Sequence, residues 1–300
     1  MSDLALSAIR GAALTFTGDP FSEPSDSAIR YERDAILVME DGLITEFGDA
    51  ETLLPTLWDG VEITTYNDSL ILPGFIDCHV HYPQTQIIGA AGEALIDWLD
   101  KYTFVAEQAF TERDHASESA EIFCDELLRN GTTTASVFCT VHEHSADALF
   151  ESVHSRNMRM IAGKVLMDRN APNALQDTAQ SGYDESKRLI NRWHYKDRLL
   201  YAITPRFAAS STPEQLALAG ALWRENPGTY VQSHISETQQ EIDWIQKLYP
   251  ERNGYLDVYD HYGLTGPRSL YGHGIHLTDA EWQHFHDTGT AIANCPTSNQ

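Results

Sequence analysis

The sequence predicts an α/β protein built on a parallel sheet, with a small β subdomain ahead of it. Three observations point there. From Pro73 onward, short apolar runs of strand length alternate with helical stretches that carry capping signals. Before that point only strand-like runs occur. Several of the later strand candidates also end in histidine.

Residues 1–70 form the predicted β subdomain. Ala35–Gly48 contains two apolar runs flanking Glu40-Asp41-Gly42, which is a hairpin pattern. Gly11–Thr17 and Asp68–Leu72 add two shorter strand candidates. Residues 71–300 form the main domain, with strands expected at Gly74–Cys78, Thr132–Phe138, Met158–Leu166, Leu199–Thr204, Thr229–His234, Ser269–His273 and Thr290–Cys295. Between them, Thr212-Pro213 reads as an N-cap followed by proline at the first helical position. Thr278–Glu281 fits a capping box, and Asn130-Gly131 a helix stop. Such β-then-α units make either an open doubly wound sheet or a closed (β/α)8 barrel. No GxGxxG follows a strand, so the dinucleotide-binding form of the open sheet loses its main support.

Composition narrows the function classes. The chain has 300 residues, 42% of them hydrophobic, enough for one large domain or two modest ones. Against 20 Lys and Arg stand 44 Asp and Glu, a formal charge of −24. A surface that negative repels phosphate backbones and anionic lipid heads, which argues against nucleic-acid and membrane partners. The four cysteines, at 78, 124, 139 and 295, form no CxxC and no dense framework, as expected of a reducing, cytoplasmic compartment. No apolar run reaches a membrane-spanning length of ~18 residues, and the start lacks the basic n-region of a signal peptide. What stands out is thirteen histidines in so acidic a chain.

Their positions carry the chemistry. Asp77-Cys78-His79-Val80-His81 follows the apolar run Leu72–Ile76. Residues two apart on extended backbone face the same way, so His79 and His81 project together from a strand end. His234 ends the fifth of the main-domain strand candidates and His273 the sixth. Histidines gathered at the carboxyl ends of parallel strands, where such folds place their sites, indicate a bound divalent metal. Neutral imidazole suits Zn²⁺ or Fe²⁺.

The motif Pro73–His81 resembles the opening metal motif of the amidohydrolase superfamily. Tyr82-Pro83-Gln84, Asp97–Phe104, Asn130–Thr134, Thr204-Pro205-Arg206-Phe207 and Gln232–Glu237 together resemble the guanine deaminase family within it. That resemblance implies a (β/α)8 TIM-type barrel, of which seven strands are visible and the eighth is missing from this chain. It also implies one metal ion per chain, zinc by family default, held by His79, His81 and His234. His273 would sit beside the metal and bond to its water or to the substrate. The Thr204-Pro205-Arg206 run stands where two-metal relatives carry a carboxylated lysine, and so fits a single-metal site; Lys164 is expected to be structural.

The implied reaction is hydrolysis of guanine to xanthine and ammonia, a step of purine breakdown or salvage. A metal brings the pKa of a bound water down to about 7. Attack at C2 then needs a proton on the neighbouring ring nitrogen, and Glu237, one turn beyond His234, would supply it and later carry a proton to the amine. The implied substrate-binding set is His81, Gln84, Arg206, Phe207, His234 and Glu237, with Glu237 and His273 catalytic. Arg206 would reach the ring carbonyl, Gln84 the amide-like edge and Phe207 the ring face. Trp98, Tyr102 and Phe104 are expected to pack a helix rather than wall the pocket. His142 and His144 are expected in a solvated loop, and Cys295 as a small packed residue.

Two other readings stand beside this one. The first is another metal-dependent aminohydrolase acting on a triazine, a pterin or a different nucleobase. The second is a scaffold that keeps the barrel without its chemistry; the intact His79, His81, His234 and Glu237 set argues against it. The resemblance further implies an aspartate at the end of an eighth strand, so we expect the 300 residues to be a shortened stretch of a longer protein. A homodimer is expected from the resemblance alone.

Overall fold

In the computed structural model the described residues are 6–57, 60–90 and 95–299, and they divide into two units, Met1–Gly74 and Phe75–Gln300. The first unit is a four-stranded sheet of order β3-β2-β1-β4. Strands β1 (Leu6–Phe16) and β2 (Ile29–Glu40) pair antiparallel from Leu6 opposite Glu40 to Phe16 opposite Ile29. The hairpin to β3 (Leu43–Asp49) turns at Asp41 and Gly42, both at positive φ, the geometry that matches strand twist. β4 (Glu62–Ile71) adds parallel to β1. It is six residues longer at its start than the apolar pattern suggested. Its early residues are exposed, Ile63 and Tyr66 among them, so backbone pairing rather than side-chain burial defines them. Ala8, Ile36, Val38 and Ala50 form the small core.

The second unit is an all-parallel sheet of order β12-β11-β10-β9-β7-β6-β5, a nearly closed barrel. Its strands are β5 (Phe75–His81), β6 (Thr132–Phe138), β7 (Arg159–Gly163), β8 (Val165–Leu166, paired to β9), β9 (Leu199–Pro205), β10 (Tyr230–Ile235), β11 (Ser269–His273) and β12 (Ala291–Ala293). Each coincides with a strand expected from the sequence, though the single run Met158–Leu166 is split at Lys164. All seven residues of β9 are buried, as strands covered on both faces must be.

Capping chemistry sets the helices. Thr212 accepts from the Gln215 N–H at 3.2 Å ahead of helix Pro213–Glu225. Thr278 and Glu281 cap each other ahead of Asp279–Thr288. Helix Arg113–Arg129 stops at Asn130, followed by Gly131 at φ +80°. Helix Ala179–Trp193 opens with a Thr178–Ser181 box that the usual Glu signature does not reveal. His142 stands at the N-cap position of helix Glu143–Ser155 without a side-chain cap bond and His144 lies in its first turn; both are half-buried and stacked on each other, which corrects the expectation of a solvated loop. The His144 Nε2 lies 2.7 Å from the Phe110 carbonyl, which anchors it. Among the described residues no helix is long and apolar enough to cross a membrane.

Lys164, at the break between β7 and β8, is a buried cation held by two carboxylates. Its ammonium is fully buried and lies 2.6 Å from Asp177 and 3.0 Å from Glu185, and Gln215 donates to the other Asp177 oxygen at 2.7 Å. Burial pushes the Asp177 carboxyl above its ordinary range, against the pull of Lys164. Removing the cation would strand a buried carboxylate. Lys164→Met should therefore lower the unfolding free energy by about 3–5 kcal/mol in urea titrations; an unchanged midpoint would contradict a structural role for the lysine.

Candidate active site

A cavity of about 450 Å³ opens at the carboxyl ends of the barrel strands. His79, His81, His234 and His273 all line it, with Gln84, Arg206, Phe207 and Glu237, so every site residue expected from the sequence is brought together. Alternation along β5 does place both of its histidines on one side, with ring centroids 5.3 Å apart. The ring nitrogens of His79, His81 and His234 converge within 4.8 Å.

Hydrogen bonding decides which nitrogens face inward. The His234 Nδ1 lies 2.6 Å from the Arg206 carbonyl, an acceptor, so Nδ1 carries the proton and Nε2 keeps its lone pair. That Nε2 is 3.0 Å from the Nε2 of His81, while the buried Nδ1 of His81 has no partner. Burial holds all three imidazoles neutral: His79 is pushed down to about 3, and His81 and His234 fall well below the ordinary histidine range. Three neutral imidazoles with converging ring nitrogens are the donor set a borderline divalent ion requires, so these residues fit a metal.

The approach is tight. Residue 272 of β11 lies opposite His234, and a side chain there would begin 2.5 Å from the His79 ring, so only Gly272 fits. Phe138, at the end of β6, stacks on His81 at 4.5 Å and touches the rings of His79 and His234. It backs the histidine rings with a buried apolar face that no sequence signal marked.

Glu237 follows β10 in a loop, after Ser236 at φ +51°, and the helix begins only at Gln239. This corrects the placement one helical turn beyond His234. Its carboxylate sits 3.4 Å from the His273 Nε2, and burial drives its pKa up to about 7, opposed by Arg206. The Glu237 N–H donates to Glu241 at 2.9 Å, and the Tyr255 hydroxyl donates to the other Glu241 oxygen at 2.7 Å. His273, at φ +74°, lies with Nδ1 2.9 Å from the Asn299 side-chain oxygen. Arg206 is paired with Glu107, both buried. Glu107, Glu241 and Asn299 escaped the sequence reading because isolated polar residues on helices and loops read as surface.

Trp98 and Leu99 also line the cavity, so Trp98 is a wall residue, whereas Phe104 packs internally as expected. Cys295 lies among the cavity residues, close to His79 and His273, rather than packed away from them.

The sequence pattern of the amidohydrolase family matches residues 70–300. Guanine deaminase of Escherichia coli K12 is 49% identical over 98% of this chain and 67% of its own length. The chain belongs to the amidohydrolase family, among its guanine deaminases. The solved E. coli guanine deaminase superposes with a TM-score of 0.95 at 48% identity, over 98% of this chain and 68% of that one. A guanine deaminase from C. acetobutylicum, solved with guanine in its active site, gives 0.87 at 29% identity over 98% and 68%. The chain thus spans about two thirds of the length of these relatives. The amidohydrolases are metal-dependent enzymes, in keeping with the three-histidine cluster.

Glu241 gives the site a pH signature. It is buried, and burial raises its carboxyl to about 7, so the folded state holds this proton more tightly than the unfolded chain does. That contribution to stability is present at low pH and is lost as pH rises from the ordinary carboxylate range through about 7. The urea midpoint should therefore fall less between about pH 5 and about pH 8 in Glu241→Gln than in the parent; equal slopes would contradict the assignment.

Proposed function

We propose that the protein hydrolyses guanine to xanthine and ammonia at this cavity. The observation that carries the reading is the single chamber in which Arg206, Gln84 and Phe207 face the three-histidine cluster, with Glu237 beside it. His79, His81 and His234 would hold one divalent ion. When bound, such an ion activates water as a nucleophile at neutral pH.

The chain's own groups do the rest. Arg206 donates to the carbonyl oxygen of the base, Gln84 pairs with its amide-like edge through one donor and one acceptor, and Phe207 covers the ring. This orientation turns C2 and its amino group toward the histidines. Glu237, with a carboxyl raised to about 7, can both hold and release a proton near neutrality. It delivers one proton to ring N3 and a second to the departing amine. The balance is complete: the water oxygen stays on C2, one of its hydrogens ends on N3, and the other leaves in ammonia. His273, 3.4 Å from Glu237, orients that carboxyl. Trp98 and Leu99 exclude bulk water.

Zinc as the ion and a homodimer as the assembly, both from family resemblance, and the cytoplasm as the compartment, from the sparse cysteines, complete the proposal. Incubating the full-length protein with guanine, and in parallel with adenine, cytosine and a triazine, tests it by ammonia and xanthine release. Guanine should be the ring consumed, and Glu237→Gln should lower kcat by about a hundredfold or more with metal content intact. Arg206→Ala should raise the KM for guanine, again without metal loss. Turnover of another ring in place of guanine, or full activity in Glu237→Gln, would contradict the reading.

A further inference from the structure

The carboxylate of Glu107 lies in helix Phe104–Gln108, on the segment that follows the first barrel strand, and it is completely buried. Both its oxygens accept from one nitrogen, Arg206 Nη1, at 2.9 and 2.7 Å. The Phe104 ring lies 5.5 Å from the guanidinium carbon. One corner of the guanidinium is thus clamped, while Arg206 still lines the cavity.

We propose that Glu107 is a positioning residue for substrate recognition. It holds Arg206 so that the free N–H edge of the guanidinium meets the carbonyl of the bound base. The idea rests on the reading of Arg206 as the carbonyl contact.

Two physical arguments support it. A long, flexible arginine at a cavity wall loses rotamer freedom on binding unless it is already fixed, and a two-oxygen clamp fixes it in advance. Charge is the second. An unpaired guanidinium would attract anions into the chamber, whereas the Arg206–Glu107 pair is neutral overall and presents directed donors without net charge. That suits an uncharged heterocycle with a carbonyl. An internal tie between helix and strand would need the ion pair but would not need its arginine to line the cavity.

The test compares guanine with 2-aminopurine, which keeps the ring and the amino group but lacks the carbonyl, in the full-length protein. Glu107→Gln puts an amide against the Arg206 donors and releases the clamp. It should raise the KM for guanine by about tenfold or more, the worth of a charge-assisted hydrogen bond, with the inhibition constant of 2-aminopurine unchanged. Glu107→Asp, which keeps the charge, should show a smaller loss confined to guanine, and it carries the same test should the amide variant fold poorly. Adding Glu107→Gln to Arg206→Ala should cost nothing further for guanine.

Equal weakening of both ligands would overturn the proposal in favour of general support of the fold. So would an unchanged KM for guanine in both Glu107 variants while Arg206→Ala raises it. If Arg206→Ala itself leaves guanine binding intact, the reading of Arg206 fails and the proposal falls with it.

Discussion

The carbonyl oxygen of Arg206 accepts three hydrogen bonds from the neighbouring strand end, and the rest of the site depends on them. The His234 backbone N–H donates at 3.2 Å, its Nδ1–H at 2.6 Å and the Ser233 hydroxyl at 3.2 Å. A carbonyl cannot donate, so His234 has one tautomer open to it, with Nε2 turned toward His81 and His79. The side chain of the same arginine points to the cavity. One residue just past β9 therefore fixes the orientation of a histidine in the cluster through its carbonyl and lines the cavity with its side chain. Neighbouring parallel strands make such a link natural, because their carboxyl ends lie side by side.

Holding this arrangement has a cost that the surrounding residues offset. Four imidazoles and two carboxyls are withdrawn from water, and each responds by favouring its neutral form. Ser236 and His273 leave their strands at positive φ, a conformation that side chains disfavour, and both do so next to groups that line the chamber. Tyr259 bonds to the His234 carbonyl at 2.8 Å and to Ser233 at 2.9 Å, and Tyr255 stacks on it, so the loop geometry is fixed from behind. The protein is strongly acidic overall, yet the chamber carries a paired arginine and neutral imidazoles, a setting for an uncharged substrate.

What could be read from the chain follows a physical pattern. His79 and His81 were legible because strand alternation is local, and His234 and His273 because each ends an apolar run. Arg206, Gln84 and Phe207 were legible only through family resemblance, since an arginine after a proline has no chemistry of its own. Glu107, Glu241, Phe138 and Asn299 were not legible. For Glu107, Phe138 and Asn299 the contacts join separate elements, Glu107 and Arg206 being 99 residues apart, whereas Glu241 bonds to the nearby Glu237 N–H across a loop whose shape no local pattern marks. Glu237 lines the chamber as expected, but from a loop rather than a helix, because Ser236 at positive φ delays the helix start.

The Arg206 carbonyl fixes the tautomer of His234. Long-range proton–nitrogen NMR on the metal-free protein, with the resonance assigned by comparison with His234→Gln, tests it most directly. A protonated Nδ1 and a lone-pair Nε2 are expected at His234. A proton on Nε2, with Nδ1 free, would contradict it.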